Sequence, residues 1–352
     1  MAAAFEVDFG PLQGFRFTCR PDCSLCCYAT PAVSAVERQR LIGILPELPP
    51  APPGEEFTYL PAREEGGACG LLKEARCQAH PLRPFPCRSY PVHTHFGYRV
   101  QLSLVLACPG LTPPEPSRWG VSGARLASPA GLDGELGAVR EELAGLPVGA
   151  WIAEHAARVD RIARKLNRQG RWEKPADVLA RLLADPPGPD PSGELSLPPT
   201  GIRNLEELPL FFDPKYGRVI IRDGEDGTYE LASIREAGGI GDRLGRFALP
   251  EVPPALGAIA GQRLAGYARY LLHRDHFAWA ALHELECGAE GTVGERLEED
   301  LVEALTECVN RASVIEQLHG GSGLQLDEGA LLQGLSSVDA ELLDRPSLGR
   351  VL

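Results

Sequence analysis

Apolar and polar positions change period several times along the chain. Phe5, Val7 and Phe9, then Phe15 and Phe17, alternate loosely around Gly10-Pro11 and Gly14, which predicts a short strand, a turn and a second strand. From Pro31 to Leu45 the period is helical. Val33, Val36, Leu41, Ile44 and Leu45 form a stripe, and Ser34 and Glu37 stand at capping-box spacing. The Pro-rich run from Pro46 to Pro61 breaks this pattern and reads as a surface loop. Tyr98 to Ala107 alternates and then turns wholly apolar; it is the clearest strand, and it ends on Cys108-Pro109-Gly110.

Further on, Leu132–Leu146, Val148–Arg168 and Trp172–Asp185 predict three helices. The second carries Trp151, Ile152, His155, Val159, Ile162 and Leu166 on one face. Turn signals at Asp213–Gly217 and Asp223–Gly227 separate three β-rich runs, which predicts a three-stranded antiparallel meander over 208–234. Pro253–Cys287 predicts one long apolar helix or two. Thr292–Leu318 predicts another, with acidic residues at its positive end, and Gly329–Leu343 a last short one. Residues 111–131 and 186–199 are rich in Pro, Gly and Ser and read as linkers. The expected fold class is α+β, with a small irregular unit over 1–112, a linker over 113–131 and a mostly helical domain over 132–352 that contains the meander. A length of 352 residues suits more than one core.

Charge narrows the partners. The net charge of −13 lies wholly beyond residue 110, because residues 1–110 hold ten basic and ten acidic side chains. Neither part is a basic surface, so nucleic acid and anionic lipid are not expected partners. The acidic helical part is the surface offered to a protein partner or substrate. No apolar run approaches the ~18–20 residues of a membrane span, and Met1–Glu6 has no signal-peptide pattern. A cytosolic location is therefore expected.

That location bears on the cysteines. Eight of the ten lie between Cys19 and Cys108, as Cys19-x3-Cys23-x2-Cys26-Cys27, then Cys69, Cys77, Cys87 and Cys108. In a reducing compartment such a set reads as metal ligands rather than a disulfide framework. Thiolates are soft donors that suit zinc or an iron–sulfur cluster of the 4Fe-4S kind. Eight of them make one four-ligand centre with spare thiols, or two centres. His80 is a nitrogen alternative, and His93 and His95, two apart at a strand end, are weaker candidates. Arg83 and Arg88 would neutralise a thiolate site and hydrogen-bond to it. Gly239-x-Gly241-x3-Gly245 reads as a turn and helix entry rather than a nucleotide loop, and Cys287 and Cys308 as helix residues outside the site.

The block Cys77-x5-Arg83-Pro84-x2-Cys87-Arg88-x-Tyr90-Pro91, preceded by Cys23-x2-Cys26-Cys27, resembles the YkgJ-type family of zinc- or iron-chelating cysteine-cluster proteins. Cys69 and Cys108-Pro109-Gly110 also fit its pattern, while the three residues between Cys19 and Cys23 depart from it. The resemblance covers about residues 15–112 and implies a bound metal. One similar branch, the flagellin lysine N-methylases, further implies methyl transfer from S-adenosylmethionine. Three readings follow: a metal centre with a structural or redox role, a methylase-like enzyme, and a partner-binding adaptor stapled by a structural metal.

Overall fold

The computed structural model describes residues 6–20, 23–28, 31–53, 57–62, 68–74, 76–119, 130–190, 210–224, 228–235, 239–344, 347–348 and 350–351. The N-terminal part is built from short strands: β1 (Val7–Asp8), β2 (Arg16–Phe17), β3 (Ala32–Ser34), β4 (Phe57–Tyr59), β5 (Leu72–Lys73) and β6 (Arg76–Cys77). Helix α1 (Ala35–Leu41) follows β3. Helix α2 (Phe85–Ser89) leads into β7 (Val92–Phe96), β8 (Val100–Leu104) and β9 (Leu111–Thr112). Ser34 caps α1 in the expected capping box with Glu37. The segment before Ser34 is strand rather than helix, because β3 pairs with β4, and Val36 is left exposed.

The helical part begins with α3 (Asp133–Leu143), α4 (Val148–Arg168) and α5 (Pro175–Ala184). His155, Val159, Ile162 and Leu166 of α4 are buried, as the apolar face predicts, while Trp151 and Ile152 of that face are half-buried. Strands β10 (Leu210–Asp213), β11 (Gly217–Asp223), β12 (Tyr229–Ile234) and β13 (Ile240–Phe247) form an antiparallel meander. It has four strands, not three. The glycine run read as a turn and helix entry is instead β13, whose pairing with β12 is bulged between Leu231 and Ile234. Its glycines admit that irregularity: a Cβ on Gly241 would stand 2.5 Å from Ser233 Oγ.

After β14 (Ala255–Leu256), the long apolar run is two helices, α6 (Ala258–His273) and α7 (Asp275–Cys287), broken at Arg274. Helix α8 (Val293–Leu318) opens on a Thr292–Glu295 capping box. Strand β15 (Gln325–Leu326), α9 (Glu328–Asp344) and β16 (Arg350–Val351) close the chain. Among the described residues no helix is long and apolar enough to cross a membrane.

The main sheet has the order β1-β8-β7-β16, so strands from both ends of the chain share it. The largest apolar cluster spans it: Phe15, Phe96, Val100 and Leu104 pack with Tyr267, Leu271, Leu305 and Leu335 of α6, α8 and α9. A charged group is built into this core. Arg274 is fully buried and ion-pairs with Asp339 at 2.7 Å, while Asp339 also accepts from Tyr267 Oη at 3.0 Å and from the Leu106 N–H at 2.7 Å. The chain just after β8, at Leu106 two residues before Cys108, is thereby fixed to α9.

Candidate metal centre

Two chain segments carry the first and last thiols. β2 pairs with β9, with Phe17 opposite Leu111, and the Thr18 N–H donates to Gly110 O at 2.9 Å. Cys19 and the Cys108 turn therefore leave one small ladder. The approach is close enough to require glycine, since a Cβ on Gly110 would lie 2.5 Å from Thr18 O. Beyond Cys23 the chain turns sharply. Ser24 has a left-handed φ of 43°, and a 3-10 turn over Leu25–Tyr28 holds Cys26 and Cys27, with the Cys27 N–H donating to Ser24 O at 2.9 Å.

The meander supports this turn from the far end of the sequence. Arg218 on β11 donates to Ser24 Oγ at 2.6 Å and lies 5.1 Å over the Tyr28 ring, and Tyr28 Oη donates to Arg235 O. Arg20 sits over Phe212. Nothing in the local sequence of β11 marks Arg218 as part of the site; its contact spans 194 residues.

The remaining thiols come from a hairpin and a short helix. The Cys69 N–H donates to Cys27 O at 2.7 Å, and Cys77 stands opposite Leu72 across the β5–β6 hairpin. Cys87 lies in α2, with its N–H donating to Pro84 O at 3.0 Å. Glu37 serves two ends at once: one carboxylate oxygen accepts from the Ser34 N–H at 3.0 Å, the other from the Phe85 N–H at 2.6 Å. The capping glutamate of α1 thus also sets the start of the helix that bears Cys87.

These elements enclose a cavity of about 500 Å³. Seven thiols line it, those of Cys19, Cys23, Cys26, Cys27, Cys69, Cys77 and Cys87, together with His80 and Arg83. Cys108 is buried and not among the lining residues, and it is hydrogen-bonded to the Tyr90 hydroxyl. All ten cysteines of the chain are free thiols. Cys26 is shifted down, first by the hydrogen bond from Cys27 and then by the Arg83 guanidinium. Cys27 is pushed up by the same hydrogen bond and by burial. Burial, with neighbouring thiols adding to it, also pushes up Cys87, and takes Cys108 to about 12. Such thiols are protonated until a cation displaces the protons.

Among the described residues, no three His, Cys, Asp or Glu side chains are gathered closely enough to hold a metal ion as they stand. The thiols ring a space instead. The donor set fits zinc or an iron–sulfur cluster by its chemistry, and Arg83, whose charge acts on Cys19, Cys26, Cys77 and Cys87, offsets the negative charge such a group would carry. Arg88 faces elsewhere and pairs with Glu141 of α3 at 3.1 Å.

That cysteine arrangement has a family counterpart. Residues 18–103 match the CxxCxxCC family, described as "Putative zinc- or iron-chelating domain". This stretch is the chain's CxxCxxCC domain. It holds seven of the eight clustered cysteines, and Cys108 lies five residues beyond the matched span. No curated protein and no solved structure matches the chain.

Other candidates lie apart from the domain's cavity. His93 and His95 pack against His276 of α7, with ring centroids 5.4 and 5.3 Å away. Cys308 is fully buried in α8, and Cys287 is exposed at the end of α7 beside His283.

Proposed function

We propose that the protein is an iron–sulfur protein whose CxxCxxCC domain holds its cofactor in the thiol-lined cavity. One observation carries this reading: seven thiols and a guanidinium surround about 500 Å³ of space without any three of them converging on an ion-sized point. A tetrahedral zinc site with Zn–S bonds of about 2.3 Å needs its sulfurs roughly 4 Å apart. A cluster several atoms across is held instead by thiolates arranged around a space. The bound group supplies one-electron chemistry when present, and its Cys ligands tie four separate segments together. Cys19 is exposed and Cys26, Cys27, Cys77 and Cys87 are half-buried, which keeps one side of the site within reach of an electron-transfer partner.

Anaerobic purification with iron, acid-labile sulfide and zinc analysis, plus a visible spectrum, tests this. Stoichiometric iron and sulfide with charge-transfer absorption are expected. Zinc alone overturns the iron–sulfur assignment and leaves a structural zinc domain. The methylase-like reading gains nothing from the glycine pattern, which lies on β13 rather than in a loop entering a helix.

A further inference from the structure

We propose that the eight thiols form two four-thiolate centres divided between the adjacent Cys26 and Cys27. Cys27, Cys69, Cys77 and Cys87 hold one, and Cys19, Cys23, Cys26 and Cys108 hold the other. The proposal rests on the metal-binding reading above and fixes how that site is partitioned.

Packing separates the two sets. Cys27, Cys69 and Cys77 share one apolar cluster with Val33, Leu41 and Leu60. The Cys69–Cys27 backbone hydrogen bond and the β5–β6 hairpin close that side. Cys87 is brought to it by Glu37, which stands on the same helix as Leu41 and accepts from the Phe85 N–H. Cys23 instead packs with Leu25 and Ala107, the residue before Cys108. Cys19 is drawn to that side by the Phe17–Leu111 pair and the Thr18–Gly110 hydrogen bond.

The division falls within the turn over Leu25–Tyr28. Successive residues of a 3-10 turn point about 120° apart, so Cys26 and Cys27 face different directions from one rigid element. Their thiols remain in hydrogen-bonding reach, which makes the two centres neighbours. Tyr90 belongs to the second set through its hydroxyl on Cys108.

The full chain would be loaded anaerobically in two arms, one with ferrous iron and sulfide, the other with zinc alone. Two equivalents of centre per chain are expected in whichever arm loads. Cys69→Ser and Cys23→Ser should each lose about half of the bound metal, and the double variant nearly all of it. Far-UV circular dichroism guards against unfolding, and alkylation of loaded wild-type protein, read by peptide mass, gives a variant-free count: all eight clustered cysteines are expected to be protected, beside Cys308, which its burial in α8 shields with or without metal. A single equivalent untouched by Cys23→Ser, or complete loss in either single variant, overturns the partition while leaving a metal protein. No metal in the wild type in either arm overturns the metal-binding reading itself.

Discussion

Arg218 on β11 donates a 2.6 Å hydrogen bond to the Ser24 hydroxyl, between Cys23 and Cys26. Ser24 has a positive φ, a conformation that costs a non-glycine residue about 1 kcal/mol or more and must be held from outside. Arg218, over the Tyr28 ring, is the holding group. Arg218→Ala should leave the helical part intact yet weaken metal affinity about 10–100-fold, the range for losing a group that orients ligands. Competition against a chelator of known affinity measures this. Equal affinity in the variant would show that the meander does not orient the turn.

Asp339 joins three partners in the core, Arg274, Tyr267 Oη and the Leu106 N–H, and Arg274 also reaches Tyr270 Oη and Leu104 O. Removing one member of a buried ion pair strands the other's charge, at about 3–5 kcal/mol. Asp339→Ala should therefore lower stability by that order in urea denaturation. The stranded guanidinium cannot relieve itself by losing its proton, because an arginine side chain stays charged even when buried. A loss below about 1 kcal/mol would mean that Arg274 finds another partner.

The helices of the C-terminal part were legible because each is long and amphipathic; α4 begins and ends where its apolar face does. Capping chemistry located the start of α1 at Ser34, and acidic residues at the positive end of α8 marked its start, where the structure adds a Thr292–Glu295 capping box. The cysteine segment was legible as a zinc- or iron-chelating domain, since thiol spacing carries chemistry directly. What could not be read was whatever depends on distant partners. β13 is masked by glycines that a bulged strand tolerates and a local reading treats as breakers. Arg218 and Ser24 meet only in three dimensions, and Tyr90 shows its link to Cys108 only once β8 has returned the chain.

A second core group makes the fold sensitive to acid. Burial holds His93 well below its ordinary value, His95 at about 3 and His155 at about 4. In the unfolded chain these imidazoles titrate near 6.5. The native state therefore binds fewer protons than the unfolded state below that value. The stability they contribute is complete above about pH 6.5 and is lost as the pH falls toward 4 and 3. His155 lies between Tyr98 and Trp279, with centroids 5.1 and 4.8 Å away, so His155→Phe keeps a ring in place and removes one titration. Between pH 7 and 5 the wild type should lose about 1–2 kcal/mol more than the variant. Parallel stability curves in that window would rule out this role for His155.

Gly110 provides the last test, because it separates backbone geometry from ligand chemistry. Its Cα faces Thr18 O across the ladder that carries Cys19 and Cys108, and a methyl group there would meet that oxygen at 2.5 Å. Backbone cannot yield as a flexible side chain does, so Gly110→Ala must open the β2–β9 pair. Every thiol is kept, yet the Cys19 and Cys108 segments part. Metal held through those residues should be lost, about half of the total if the two sets are separate centres, while metal on Cys27, Cys69, Cys77 and Cys87 stays. Thiol alkylation of the loaded variant, read by peptide mass, should find Cys19 and Cys108 newly reactive and Cys69 still protected. Full protection of all eight would show that the ladder is not what brings these thiols to the metal.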